Sequence, residues 1–252
     1  MPPLRGLRSV IAFLTIIPTG GREVRLPDVA LNMHLFPVVG AGLGLCIGLL
    51  AKALLVFIPE DLIAATMTVA LLYLVSGLHH IDGLLDFGDG LMLRGTPEEK
   101  IAAMRDKTTG AGGFGLGLMN TLLLIACLSA TGADRIVPVM VVSELSAKLA
   151  MVAGAAAGKP APDGIGAIFI RALRGRRGKS LLVVDMLFSA IIGILTLGMI
   201  GLLGVASALC ASTVIVRLSH HCFGCVTGDV LGATNELART CSLLFLVIFR
   251  WV

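Results

Sequence analysis

Long apolar runs, separated by short polar segments, divide this chain and predict its elements. A helix needs about 17–25 mostly apolar residues to cross a bilayer core. Runs of that kind lie near 36–58, 62–80, 115–131, 136–157, 181–197, 199–217 and 237–252. Only Gly198, Gly201 and Gly204 punctuate the fifth and sixth, so whether that stretch crosses once or twice stays open. A shorter run, Val10 to Ile17, follows Arg5 and Arg8 and ends at Pro18. It is too short to span and has no small-residue cleavage site, so it predicts a re-entrant or interfacial helix and not a signal peptide. The fold class that follows is all-α: a polytopic helical membrane bundle of about six to seven transmembrane helices with a short N-terminal helix.

The connections alternate in charge. Glu60 and Asp61 follow the first run, Asp134 and Arg135 follow the third, and no charge separates the fifth from the sixth. The other connections carry Arg22 and Arg25, then Arg94, Lys100, Arg105 and Lys107, then Arg171, Arg174, Arg176, Arg177 and Lys179. Positive residues favour the cytoplasmic side. The N-terminal segment and loops about 81–114, 158–180 and 218–236 are therefore expected at the cytoplasmic face. Residues 1–252 read as one integral membrane domain in the cell membrane, without an internal repeat.

Composition sharpens the class. Only 14% of residues are charged, against about 25% in soluble domains, so the chain cannot cover itself with a polar surface. Its 31 glycines suit close helix packing in lipid. Cys46, Cys127, Cys210 and Cys241 lie in apolar runs and do not suggest a disulfide framework. His220-His221-Cys222-Phe223-Gly224-Cys225 lacks the second separated ligand pair of a structural zinc site. Glu144 and Lys148, four apart inside the fourth run, predict an ion pair within the bundle, with a substrate contact as the alternative.

The chemistry concentrates in three segments on the expected cytoplasmic face. In His79-His80-Ile81-Asp82-Gly83-Leu84-Leu85-Asp86-Phe87-Gly88-Asp89-Gly90, three acids recur at helical spacing. Carboxylates beside hydrocarbon need a partner, and a divalent cation that holds phosphates is the natural one. Asp82, Asp86 and Asp89, with Asp229 from the third segment, are the candidate ligands of Mg2+. Arg94, then Arg105 and Lys107 in Met104-Arg105-Asp106-Lys107-Thr108-Thr109-Gly110, are candidate phosphate contacts, with plain positive-inside anchors as the alternative. The third segment runs from Thr227 through Asp229 to Glu236. Thr227 and Glu236 are further candidates for substrate, and a capped helix start is the alternative. Asp82, Asp86, His80 and Asp106 are the candidate catalytic residues, His80 and Asp106 as bases.

Together these segments resemble the cobalamin synthase family, the adenosylcobinamide-GDP ribazoletransferases. The matching residues are Phe13-Leu14-Thr15 with Pro18, and Phe36-Pro37 with Gly40 and Gly44. They continue with His80, Asp82-Gly83-Leu84, Asp86, Asp89-Gly90 and Met104-Arg105-Asp106 with Gly110. They end with Thr227-Gly228-Asp229, Leu231-Gly232-Ala233 and Glu236. Lys107-Thr108 stands where the family usually has Ser-Arg, and Gly224-Cys225-Val226 where it has Gly-Gly-Gln.

The resemblance implies a magnesium-dependent membrane transferase. It would join α-ribazole, or its 5′-phosphate, to adenosylcobinamide-GDP and release GMP, forming adenosylcobalamin or its phosphate. Its implied partners are those substrates and the lipid bilayer, not nucleic acid. A homo-oligomer and association with other corrinoid-assembly enzymes are compatible with it. The alternatives are another Mg-dependent membrane phosphotransferase or a prenyltransferase, and then a transporter. Asp86 follows Leu85 where a CDP-alcohol phosphotransferase needs Ala-Arg, and a transporter would place acids at mid-membrane within repeats.

Overall fold

The computed structural model describes residues 3–20 and 24–249. Arg22, one of the expected cytoplasmic cations, and residues 250–252 of the last expected span lie outside the described residues. The helices are α1 (Pro3–Leu14), α2 (Leu26–Leu31), α3 (Phe36–Phe57), α4 (Asp61–Val75), α5 (His79–Met92) and α6 (Pro97–Met104), then α7 (Ala111–Ser129), α8 (Ile136–Ala157), α9 (Ile165–Ala172), α10 (Arg176–Phe223) and α11 (Gly228–Ile248). Among the described residues there is no strand, only an isolated bridge between Pro160 and Val226. The all-α membrane bundle is borne out.

Five helices (α3 with its leading 3-10 turn, α7, α8, α10 and α11) are long and apolar enough to cross a membrane. The bent α4–α5 pair adds a sixth. The stretch that the sequence left open resolves at Gly198, where φ is +64° and the chain turns back. That backbone region is open to glycine at little cost. A Cβ on Gly193 would lie 3.0 Å from the carbonyl carbon of Gly201, whereas a straight helix would hold the two about 12 Å apart. α10 is therefore a hairpin with two arms, and each can cross. Val183, Val184, Leu187, Ile191, Ile194 and Leu195 stay exposed on its first arm, as a lipid-facing surface requires.

α8 is apolar all round, apart from Glu144 and Lys148, and occupies the centre. α3 lies along it through Gly40, Gly44 and Gly48, one turn apart. A Cβ on Gly40 would sit 2.6 Å from the Glu144 carbonyl oxygen, and one on Gly48 2.9 Å from Val137 Cα. Lipid tails are as apolar as leucine, so such close backbone approach is what holds helices together in a bilayer.

The turn Ser76-Gly77-Leu78 positions the site. Gly77 (φ +68°) and Leu78 (φ +61°) are both left-handed, and α5 leaves α4 at 94°. Holding leucine there costs about 1–2 kcal/mol. The bend lays α5 across the end of α4. Residues 81–114 are consequently not a loop: they hold most of α5, all of α6 and the start of α7. Thr96 and Glu99 form a capping box that starts α6. Residues 158–180 likewise hold α9 and the start of α10, and 218–236 hold the end of α10 and the first turns of α11.

Candidate active site

On α5 the 3.6-residue period sorts the side chains. Leu84 and Phe87 are buried in the core, while Asp82 is exposed and Asp86 and Asp89 are half-buried. α5 then meets α11 at a pair of glycines. A Cβ on Gly83 would lie 3.0 Å from the Asp229 carbonyl oxygen, and one on Gly232 3.3 Å from Gly83 Cα. That approach brings Asp229 beside Asp82. Thr227 starts α11: its Oγ1 accepts the Val230 N–H at 3.3 Å and donates to the Asp229 carboxylate at 3.2 Å. Asp229, in the first turn, also gains from the helix dipole.

A cavity of about 440 Å3 opens at this junction. Asp82, Asp229, His79, His80, Phe13, Phe169 and Met151 are among the residues that line it. A smaller cavity of about 180 Å3 adjoins it, lined by Met104, Arg105, Asp163 and Thr227. Ile165, Gly228 and Asp229 belong to both. Arg105 donates to Asp163 at 2.8 Å, both side chains being exposed.

The acids crowd one another. Asp82, Asp86 and Asp89 share the short helix α5, and Asp229 meets that helix from α11. Like charges so gathered favour a cation among them. Among the described residues, no three His, Cys, Asp or Glu side chains already converge as a ligand cage. The donors are all hard oxygens, which suit Mg2+, and that ion commonly keeps its waters and uses one or two carboxylates plus substrate phosphates. The chemistry of these residues fits Mg2+.

The described family of cobalamin-5-phosphate synthases matches residues 6–247. The chain belongs to that family. Among its relatives are proteins named adenosylcobinamide-GDP ribazoletransferase. The one from Methanosarcina barkeri is 34% identical, over 97% of this chain and 92% of the relative. That from Methanocella arvoryzae is 34% identical over 99% and 97%, and that from Pyrococcus abyssi 31% over 95% and 97%. No solved structure matches the chain.

The tertiary structure distributes the other candidate residues of this synthase-family chain unevenly. His80 is buried on the wall of the larger cavity, and its Nδ1 has no hydrogen-bond partner. Asp106 is turned toward its own turn, accepting from the Thr108 N–H at 2.9 Å and hydroxyl at 2.8 Å. It lines a separate open cavity with Asp89. Asp89 itself accepts the Gly110 and Gly113 N–H groups at 2.7 and 2.8 Å, which ties the start of α7 to α5. Arg94 and Lys107 are exposed and line none of these three cavities.

Glu236 does not reach the cavity either. It is fully buried and paired with Arg239, which also bonds Glu144. Lys148 Nζ donates to Glu144 at 3.0 Å, and all four side chains are sealed from solvent. The expected Glu144–Lys148 pair thus exists, inside a larger neutral network that joins α8 to α11. Sequence reasoning missed Arg239; its signal was a cation one helical turn beyond Glu236 within an apolar run. His220 Nε2 accepts the Lys159 N–H at 3.0 Å, and Cys222 and Cys225 form no disulfide.

Proposed function

We propose that this membrane protein transfers α-ribazole, or its 5′-phosphate, onto adenosylcobinamide-GDP. The transfer releases GMP and yields adenosylcobalamin or its 5′-phosphate. The observation that carries this reading is the meeting of Asp82 and Asp229, from distant parts of a family-matched chain, on one cavity wall beside Arg105.

A hydroxyl of the ribose forms a bond to the phosphorus that bears the cobinamide, as the bond from that phosphorus to the GMP oxygen breaks. The 5′ oxygen is excluded, because the 5′-phosphate would also serve as acceptor. Asp82 and Asp229, with Asp86 beside them, would hold Mg2+. That ion supplies charge neutralisation on the pyrophosphate and on the departing GMP. Arg105 adds a guanidinium to the same phosphates. His80, on the lining of the larger cavity, accepts the hydroxyl proton. The exposed Arg171, Arg174, Arg176, Arg177 and Lys179 support an active site that faces the cytoplasm.

The test is purified protein in liposomes with adenosylcobinamide-GDP and α-ribazole. GMP release that requires Mg2+ is expected. No release with metal present overturns the transferase reading, and release unchanged by chelation overturns the metal.

A further inference from the structure

The two adjoining cavities differ in size and chemistry, and the difference assigns the substrates. The larger, of about 440 Å3, falls within the range of drug-sized ligand pockets. A bicyclic aromatic base with its ribose fits such a volume; a corrin macrocycle carrying GDP does not. Part of its lining is apolar and aromatic. Phe13 stacks on Phe36 with ring centroids 6.1 Å apart and meets Phe169 edge-on at 5.3 Å. Phe13 is only half-buried, so part of its ring is free toward the cavity, while Phe169 behind it is packed. A ring held this way is a preorganised surface for a flat apolar base. Another part is polar, with Asp82, His80 and Asp229, where a ribose hydroxyl belongs.

The smaller cavity, of about 180 Å3, is built differently. Arg105, Asp163 and Thr227 line it. Those groups suit phosphate oxygens, not an aromatic base. Asp229, Gly228 and Ile165 form the wall between the two spaces.

Resting on the transferase reading, we infer that the ribazole base occupies the larger cavity against Phe13. The pyrophosphate of the activated corrinoid lies over the smaller one at Arg105, with the macrocycle outside both, and the reacting atoms meet at Asp229. Size selection for the lower-ligand base then resides in the α1 side of the cavity, where Ala12 stands on the wall.

The experiment fills the cavity from that side. Ala12→Val and Ala12→Phe are assayed in liposomes with α-ribazole and with the riboside of unsubstituted benzimidazole. Binding of radiolabelled α-ribazole is measured by equilibrium dialysis without the corrinoid. Ala12→Phe is expected to raise the KM and Kd for α-ribazole by about tenfold or more, with the KM for adenosylcobinamide-GDP unchanged. Ala12→Val is expected to penalise the dimethylated base more than the unsubstituted one, a change that loss of folded protein cannot produce. Arg105→Ala is expected to show the opposite KM pattern. An unchanged base preference, or a shift in the corrinoid KM with Ala12→Phe, overturns the assignment. Wild-type protein that binds α-ribazole through this cavity but releases no GMP leaves the assignment standing and overturns the transferase reading instead.

Discussion

Gly83 and Gly232 face each other where α5 crosses α11, so closely that a Cβ on Gly232 would stand 3.3 Å from Gly83 Cα and 3.3 Å from the His80 carbonyl oxygen. Asp82 precedes one glycine and Asp229 lies one turn before the other. Any side chain at this crossing pushes apart the elements that bring the two carboxylates to one cavity.

Gly232→Leu is therefore expected to separate α5 from α11. Overpacking of this kind costs about 1–3 kcal/mol. The larger effect should fall on turnover, because Asp82 and Asp229 no longer line one cavity. GMP release and thermal unfolding in detergent check both; normal turnover would show that the crossing does not set the site.

The acids of α5 should separate by role. Asp82→Asn is expected to abolish turnover with stability unchanged, since the Asp82 side chain is exposed. Asp89→Ala releases the Gly110 and Gly113 amides and should cost about 1–2 kcal/mol, as loss of a helix cap does. Unfolding curves of the two variants, beside their activities, decide this.

Glu236 should behave as a structural residue. Glu144→Ala leaves Arg239 and Lys148 buried without their shared anion, and breaking a buried pair costs about 3–5 kcal/mol. Glu236→Gln, the milder change, is expected to lower the yield of folded protein while leaving both KM values unmoved. A raised KM in the folded fraction would return Glu236 to the substrate site.

Arg105 and Lys107 should differ although they are neighbours. Arg105 lines the smaller cavity and Lys107 none of the three described. Arg105→Ala should raise the KM for adenosylcobinamide-GDP severalfold, and Lys107→Ala should leave it nearly unchanged. Their exposure predicts little loss of stability in either case. Steady-state kinetics with each substrate in turn distinguish them.

Much of this molecule was legible in its sequence, because the signals are local. Run length and low charge specify a helical membrane bundle. The D-x3-D-x2-D spacing places three acids along one helix away from Leu84 and Phe87, and Gly40, Gly44 and Gly48 mark a packing stripe. The family motifs carried the chemistry with them. What the sequence could not decide depends on which distant surfaces touch. The hairpin at Gly198 depends on one backbone dihedral, and the strained Leu78 turns α5 across the end of α4. Asp89 looks like its fellow ligands until α7 arrives with two unpaired amides. Glu236, seven residues beyond Asp229 on one helix, points toward substrate by periodicity alone. It is Arg239 and Glu144 that draw it into the core, because a buried charge in lipid is tolerable only when paired. Local pattern determined the helices and their acids; close packing across glycines decided which acids meet and which are sealed away.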